Sequence, residues 1–203
     1  MTIESHDLEE RIRRQSLNTL SNGHYTLRKV NFEFRRGDGK WQAQSRESYD
    51  IGDGAAVLPV DRNTGLVLLV RQFRWPAFEH GYHRLMIEAI AGKLDGDEPE
   101  TCARKEAREE AGACLGNLRQ VFHPFMSPGA VTERLHLFVA DYDSSAPRMV
   151  SGGNEQEGED IEVLELPLQS ALDLVADGDI VDAKTIMLLQ WTAMNRAAGG
   201  NLT

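Results

Sequence analysis

Apolar positions along the chain fall mostly into short runs separated by polar turns, a pattern of strands more than of long helices. "YTLRKVNFEFRR" alternates polar and apolar residues, "GDGK" supplies a turn, and "WQAQSRESYDI" extends again, so the spacing predicts a hairpin from Tyr25 to Ile51. "AAVLPVD" and "LVLLVRQFR" flank the turn "DRNTG" and are near-continuous apolar runs, as in strands covered on both faces. "HRLMIEAI" reads as a strand running into Gly92, "LRQVFHPFM" and "RLHLFVADY" as strands around the loop "SPGAVTE", and "DIEVLELP" as a last strand. Apolar residues recur at helical spacing in "LQSALDLVADG" and "DAKTIMLLQWTAMNRAAGG", which stop at glycines, and residues 7–20 read as a charged N-terminal helix. Residues 144–158 have the composition of a loop. The order predicts the α/β class, with residues 1–51 as an N-terminal helix and β-hairpin extension and residues 52–203 as the main domain.

One further helix carries the chemistry. Pro99 suits a first helical turn, with Asp97 or Glu98 as the cap before it, and Gly112 suits the position just past the end. Between them Ala103, Ala107 and Ala111 form a stripe of small side chains that lets the helix approach a sheet closely. Glu106 and Glu110 lie one turn apart beside that stripe, and Glu109 lies on the far side of Glu106. A like-charge pair at this spacing costs only ~0.2–0.5 kcal/mol, so repulsion alone does not require a cation, and a solvated charged face is the competing reading. The preceding "GKLDGD" is a tight turn after an apolar strand, placed to bring backbone carbonyls to the acidic edge. Carboxylates, a carbonyl and water form an oxygen-only set that suits Mg2+ or Mn2+.

Composition narrows the partners. The 203 residues carry a formal net charge of −10, which opposes binding to a nucleic acid polymer but not to a small phosphorylated ligand bridged by a cation. No apolar run approaches the length of a membrane span. Cys102 and Cys114 are too few for a disulfide framework, and the N-terminus lacks a secretory pattern, so the expected compartment is the cytoplasm.

"GKLDGDEPETCARKEAREEAG" resembles the Nudix box, which places a glycine, a glutamate and then arginine–glutamate–aliphatic–x–glutamate–glutamate–x–glycine in fixed spacing. Gly92 and Glu98 match its first half, and Lys105, Glu106, Glu109, Glu110 and Gly112 its second, with lysine in place of arginine. Only six residues separate Glu98 from Lys105, one short of the pattern, so counting back from the helix puts Asp97 at the first acid. From about residue 24 to 190, stretches such as "MSPGAVTERLHLFVADY" and "EDIEVLELPLQSAL" are similar to the GDP-mannose pyrophosphatase branch of Nudix hydrolases and, more distantly, to the ADP-ribose pyrophosphatases.

The resemblance implies a mixed sheet sandwiched between helices and a homodimer in which the N-terminal β extension reaches the partner's site. It implies Mg2+-dependent cleavage (Mn2+ being the other candidate ion) of the pyrophosphate bond of a nucleotide sugar, GDP-mannose yielding GMP and mannose 1-phosphate. ADP-ribose or another ADP-sugar is the rival substrate, and a non-catalytic nucleotide-sugar-binding module the rival of another class. By position, Glu106, Glu110, Glu159 and the carbonyl of Ala91 are the implied metal ligands. Glu157 or Glu133 is the implied base, and Glu109 a further catalytic candidate. Arg46, Glu47, Arg74, Gly92, Lys93, Glu133, Gly158 and Lys184 match substrate-binding positions. Absent a ligand, Arg46 and Glu47 would be a cross-strand ion pair, Arg74 a surface charge and Lys184 a solubilising residue.

Overall fold

The structure, a computed structural model, describes residues 8–149, 151–153 and 158–197. Two compact units divide the chain, Met1–Gly52 with Ser127–Glu133, and Asp53–Met126 with Arg134–Thr203.

The first unit is a three-stranded antiparallel sheet in the order β1 (Ile12–Asn22), β2 (Thr26–Arg35), β3 (Trp41–Asp50). The hairpin expected from Tyr25 to Ile51 is β2 and β3. The helix expected over residues 7–20 is not formed: a single 3-10 turn at Leu8–Arg11 leads into β1. Two register shifts, between Arg14 and Ser16 and between Thr19 and Ser21, hide the strand from a period-two reading. The first shift lets Ile12 and Leu17, an odd number of residues apart, oppose Phe34 and Val30 on one face. Pairing along the whole of β2 then outweighs the weak helical spacing. The segment 127–133 joins this unit because Tyr49 donates its N–H to the Ala130 carbonyl (2.7 Å) and accepts from the Thr132 N–H (3.1 Å).

The second unit holds a seven-stranded mixed sheet. Its path is β10 (Glu162–Pro167), β5 (Leu66–Gln72), β4 (Gly54–Val60), β9 (Leu135–Asp141), β8 (Leu118–Phe122). β4 and β9 run parallel and the other neighbours antiparallel. Strand alternation sends Ala55, Val57, Leu68 and Val70 to one face, where they pack on Cys102, Ala103, Ala107 and Ala111 of α2 (Pro99–Ala111). Ala56, Leu58, Val60, Val67 and Leu69 go to the other face, against α3 (Leu168–Ala176) and α4 (Ala183–Ala197). Each fully buried leucine or valine here contributes on the order of 1.5–3 kcal/mol. The sheet between helices is the architecture the resemblance implies.

Two details depart from the sequence reading. A short helix α1 (Trp75–Glu79) follows β5, with Pro76 in its first turn, and its five residues are too few for a periodic signal. The apolar run expected as one strand is two, because the chain changes partners. β6 (Met86–Glu88) pairs with β5 and β7 (Ile90–Lys93) with β4. Ala89, at the crossover, gives its N–H to Thr185 Oγ1 of α4 (2.6 Å), so this buried donor is satisfied.

Helix α2 occupies the expected span. Its N-cap is Glu98, in extended backbone with no side-chain capping bond, and it ends at Gly112, which adopts φ +64°. A side chain at Gly112 would be strained by that φ and would collide with the backbone of Met149. Gly112→Ala is expected to lower unfolding stability by about 2 kcal/mol. Urea denaturation followed by circular dichroism measures this, and an unchanged midpoint would remove the constraint.

Candidate active site

The site begins with how closely α2 lies on the sheet. Ala103, Ala107 and Ala111 are each at most 1% exposed, so the helix backbone sits directly over β4 and β7. At this approach the Glu106 side chain lies across the Cα of Gly92 on β7, and any Cβ there would overlap the Glu106 carboxyl group. Glu110, one turn later, is 2% exposed and accepts the Ala91 N–H on Oε2 at 3.3 Å. Burial first, and then the neighbouring Glu106 and Glu159 carboxylates, push the Glu110 carboxyl up to about 8, against the lowering pull of the Ala91 N–H and Arg74. Glu109, by contrast, is exposed on the outer face of α2.

Glu159, on the loop before β10, acts on Glu110 through its charge. It is half-buried and lies against Gly153 (φ +84°), where an added Cβ would come within 2.6 Å of the Glu159 Cβ. Gly158, also expected at the site, is exposed with φ +74°, a left-handed conformation that favours glycine. Glu157 lies outside the described residues.

Between Gly92 and α2 the turn is shaped by Asp95 (φ 45°) and Gly96 (φ 96°) and closed by the Asp97 N–H on the Leu94 carbonyl (2.7 Å). The Lys93 carbonyl accepts the Cys102 thiol (3.2 Å), which ties the turn to the first helical turn. Lys105 is exposed, and its ammonium is held above its ordinary range by Glu109 first and Glu106 second, with Asp97 contributing less. The helical glutamates, more than the acids of the turn, are therefore its main electrostatic partners.

A second charged cluster lies around Glu88 of β6, which is 2% exposed. Arg74 donates to it side-on, Nε to Oε1 at 3.1 Å and Nη2 to Oε2 at 2.8 Å, and Lys184 Nζ lies 3.4 Å from Oε2. Lys184 also contacts Asp182 at 3.0 Å, and Asp182 accepts the Thr185 N–H (3.0 Å) as a cap of α4. Burial opposes the charge on Glu88, but Lys184 and Arg74 outweigh it and hold the carboxyl below its usual range. Burial likewise opposes the charge on Arg74, and its bonds to Glu88 outweigh this, with Glu110 and Asp182 adding attraction. Arg74 and Lys184 are thus neither simple surface charges nor solubilising residues: the Lys184 side chain is only 12% exposed. Sequence reasoning missed Glu88, Asp182 and Thr185. The available signal was an acid inside the apolar run "MIEAI".

Arg46 and Glu47 are exposed on β3 of the first unit, where Arg46 donates to the Ser45 carbonyl (2.8 Å) and the Gln44 side chain (3.0 Å). Glu133 is half-buried in the same unit.

Glu106, Glu110 and Glu159 with the backbone at Ala91 fit a hard divalent cation. The donors are oxygens, and a buried carboxyl that feels the charge of two others has its ionised form disfavoured. Among the described residues no group of three or more histidines, cysteines or acids forms a preassembled metal cage.

Comparison with known proteins places this geometry in a family. Residues 50–189 match the model of the NUDIX domain, and residues 11–49 match that of the GDP-mannose pyrophosphatase NudK N-terminal domain. A GDP-mannose pyrophosphatase of Klebsiella pneumoniae is 45% identical over 202 residues, covering 99% of this chain and 98% of the relative. A GDP-mannose pyrophosphatase of Pectobacterium atrosepticum is 49% identical over 172 residues, covering 84% and 88%. The fold is also similar to the crystal structure of an ADP compounds hydrolase, with TM-score 0.71 at 18% identity over 93% of this chain and 96% of that one. With its close-packed glutamate helix, its glycine beneath Glu106 and a domain-wide match, the chain belongs to the Nudix family.

Proposed function

We propose that the protein hydrolyses the pyrophosphate bond of GDP-mannose, releasing GMP and mannose 1-phosphate, with Mg2+ as the divalent ion. The observation that carries this reading is the buried Glu110 carboxyl crowded by Glu106 and Glu159, an arrangement relieved by a cation. The GDP-mannose pyrophosphatase relatives, similar over nearly the whole chain, support the choice of substrate. The likeness to an ADP compounds hydrolase supports the fold alone. Two free cysteines, one of them exposed, suit a cytoplasmic setting.

Each residue has an assigned part. Glu106, Glu110, Glu159 and the Ala91 carbonyl would hold the ion, which would neutralise diphosphate charge and acidify water. Glu157 or Glu133 takes the proton from the attacking water, Glu109 being the less direct candidate. The water oxygen bonds to one phosphorus as the bridging P–O bond breaks, and the bridging oxygen leaves on the other phosphate. Arg74 and Lys184 bind diphosphate oxygens, for which a guanidinium fork and an ammonium are suited. Backbone at Gly92, Lys93 and Gly158 borders the substrate. Arg46 and Glu47, on the N-terminal extension, contact it across a homodimer, and Glu133 is a further contact. The exposed Ile12 (44%), Leu17 (51%) and Leu20 (49%) of β1 support such pairing, since apolar side chains in one strand favour cover.

Incubation with a panel of nucleotide sugars and Mg2+, followed by identification of the nucleotide released, tests the activity. GMP from GDP-mannose is the expected product, and preferential release of AMP from ADP-ribose would reassign the substrate. Glu106→Gln and Glu110→Gln are each expected to reduce kcat by roughly 10²-fold or more with circular dichroism unchanged. Near-wild-type turnover in both would remove them from the metal site.

Because the folded-state Glu110 carboxyl is raised to about 8, its contribution favours the metal-free fold below its ordinary unfolded value and is lost as pH rises toward 8. Melting of metal-free protein is therefore expected to show a Glu110-dependent loss between about pH 5 and 8 that Glu110→Gln abolishes. Mg2+ is expected to restore Tm at the upper end; the same pH profile in both proteins would contradict the assignment. Sedimentation of the full chain is expected to give twice the monomer mass, and a monomer at micromolar concentration would end the dimer proposal.

A further inference from the structure

The mechanism gives Arg74 and Lys184 to the diphosphate but leaves Glu88 without a part. A carboxylate is rarely placed at 2% exposure in a sheet unless cations compensate it, and here two do. The two cations come from distant parts of the chain, Arg74 from the segment after β5 and Lys184 from the first turn of α4. Both meet Glu88 Oε2, Arg74 through Nη2 at 2.8 Å and Lys184 through Nζ at 3.4 Å. Without a shared anion, two positive groups this close would repel and turn outward. Arg74 commits Nε and Nη2 to Glu88, so its Nη1 edge is uncommitted to that carboxylate, and its side chain remains 41% exposed. Lys184 is fixed from the other side by Asp182 at 3.0 Å.

We infer that Glu88 is a positioning residue: its buried carboxylate holds Arg74 and Lys184 side by side as a two-cation clamp for the diphosphate of the substrate. The inference rests on the proposed nucleotide-sugar reading and adds to it the group that sets the geometry of diphosphate binding. A carboxylate that only stapled β6 to its neighbours would matter to melting. One that presents two cations also matters to ligand affinity at temperatures where every variant is folded.

The test compares wild type, Glu88→Gln and Glu88→Asp, with and without Arg74→Ala/Lys184→Met. Readouts are KM and kcat for GDP-mannose, Tm, and the dissociation constant of a methylene-bridged GDP-mannose analogue. Glu88→Gln is expected to raise KM and the analogue's dissociation constant by about tenfold or more while kcat falls less than about threefold. In the Arg74→Ala/Lys184→Met background the same change is expected to move the dissociation constant by less than about twofold, because the groups it acts through are gone. Should Glu88→Gln not fold, Glu88→Asp decides: a carboxylate drawn back by one methylene cannot hold both cations, so weaker binding is expected. Unchanged affinity in the folded Gln variant, or in the Asp variant where only that one folds, would overturn the inference. So would a full effect persisting in the double-variant background. A wild type that turns over no nucleotide sugar would end the functional reading by itself, and the analogue's dissociation constants would still decide the part played by Glu88.

Discussion

The short distance between α2 and the sheet is the constraint on which the site depends. It exists because the apolar side chains that the helix packs on the sheet are alanines and one cysteine, and because Gly92 lacks a side chain where Glu106 crosses it. A larger residue on either side would lift the helix, and the two glutamates beside the stripe would move into water. In water a carboxylate is ionised and hydrated and has little need of a metal. Against the sheet Glu110 is stripped of water while Glu106 and Glu159 add their charge, so the polypeptide builds a deficit of positive charge into its own packing.

Two glutamates at the same exposure make the point by contrast. Glu88 and Glu110 are each 2% exposed, yet the first is held below the usual carboxylate range and the second is pushed to about 8. The difference is local company. Glu88 has an arginine fork and an ammonium in contact, whereas Glu110 has a single backbone N–H, a more distant Arg74 and two like charges. The compensated cluster is balanced as it stands and, in the proposed reading, supplies cations to an anionic ligand. The uncompensated one, in the same reading, takes an added ion. A nucleotide diphosphate and its metal have complementary charge to these two clusters.

The first unit follows different rules. Its β1 is exposed along nearly its whole length, and its apolar residues are aligned by bulges instead of by simple alternation. Its family match, over residues 11–49, is separate from that of the main domain.

By itself, the sequence determined the succession of most strands of the main domain, the span of α2, the hairpin of the extension and the acidic helix edge. Those features rest on local rules: period-two and 3.6-residue spacing, a proline at one helix end and a glycine at the other. The resemblance of the box named Glu106 and Glu110 by position, and the longer resemblance to the pyrophosphatase branch named Glu159, Arg74 and Lys184. Only the tertiary structure decided that residues 7–20 lead into a bulged strand, since pairing with β2 lies outside any local window. Only it split "HRLMIEAI" between two partners, and only it brought Glu88, Arg74 and Lys184 together from three separate stretches of chain. A buried carboxylate within an apolar run is visible in a sequence, but its counter-ions are not, because electrostatic compensation acts through space.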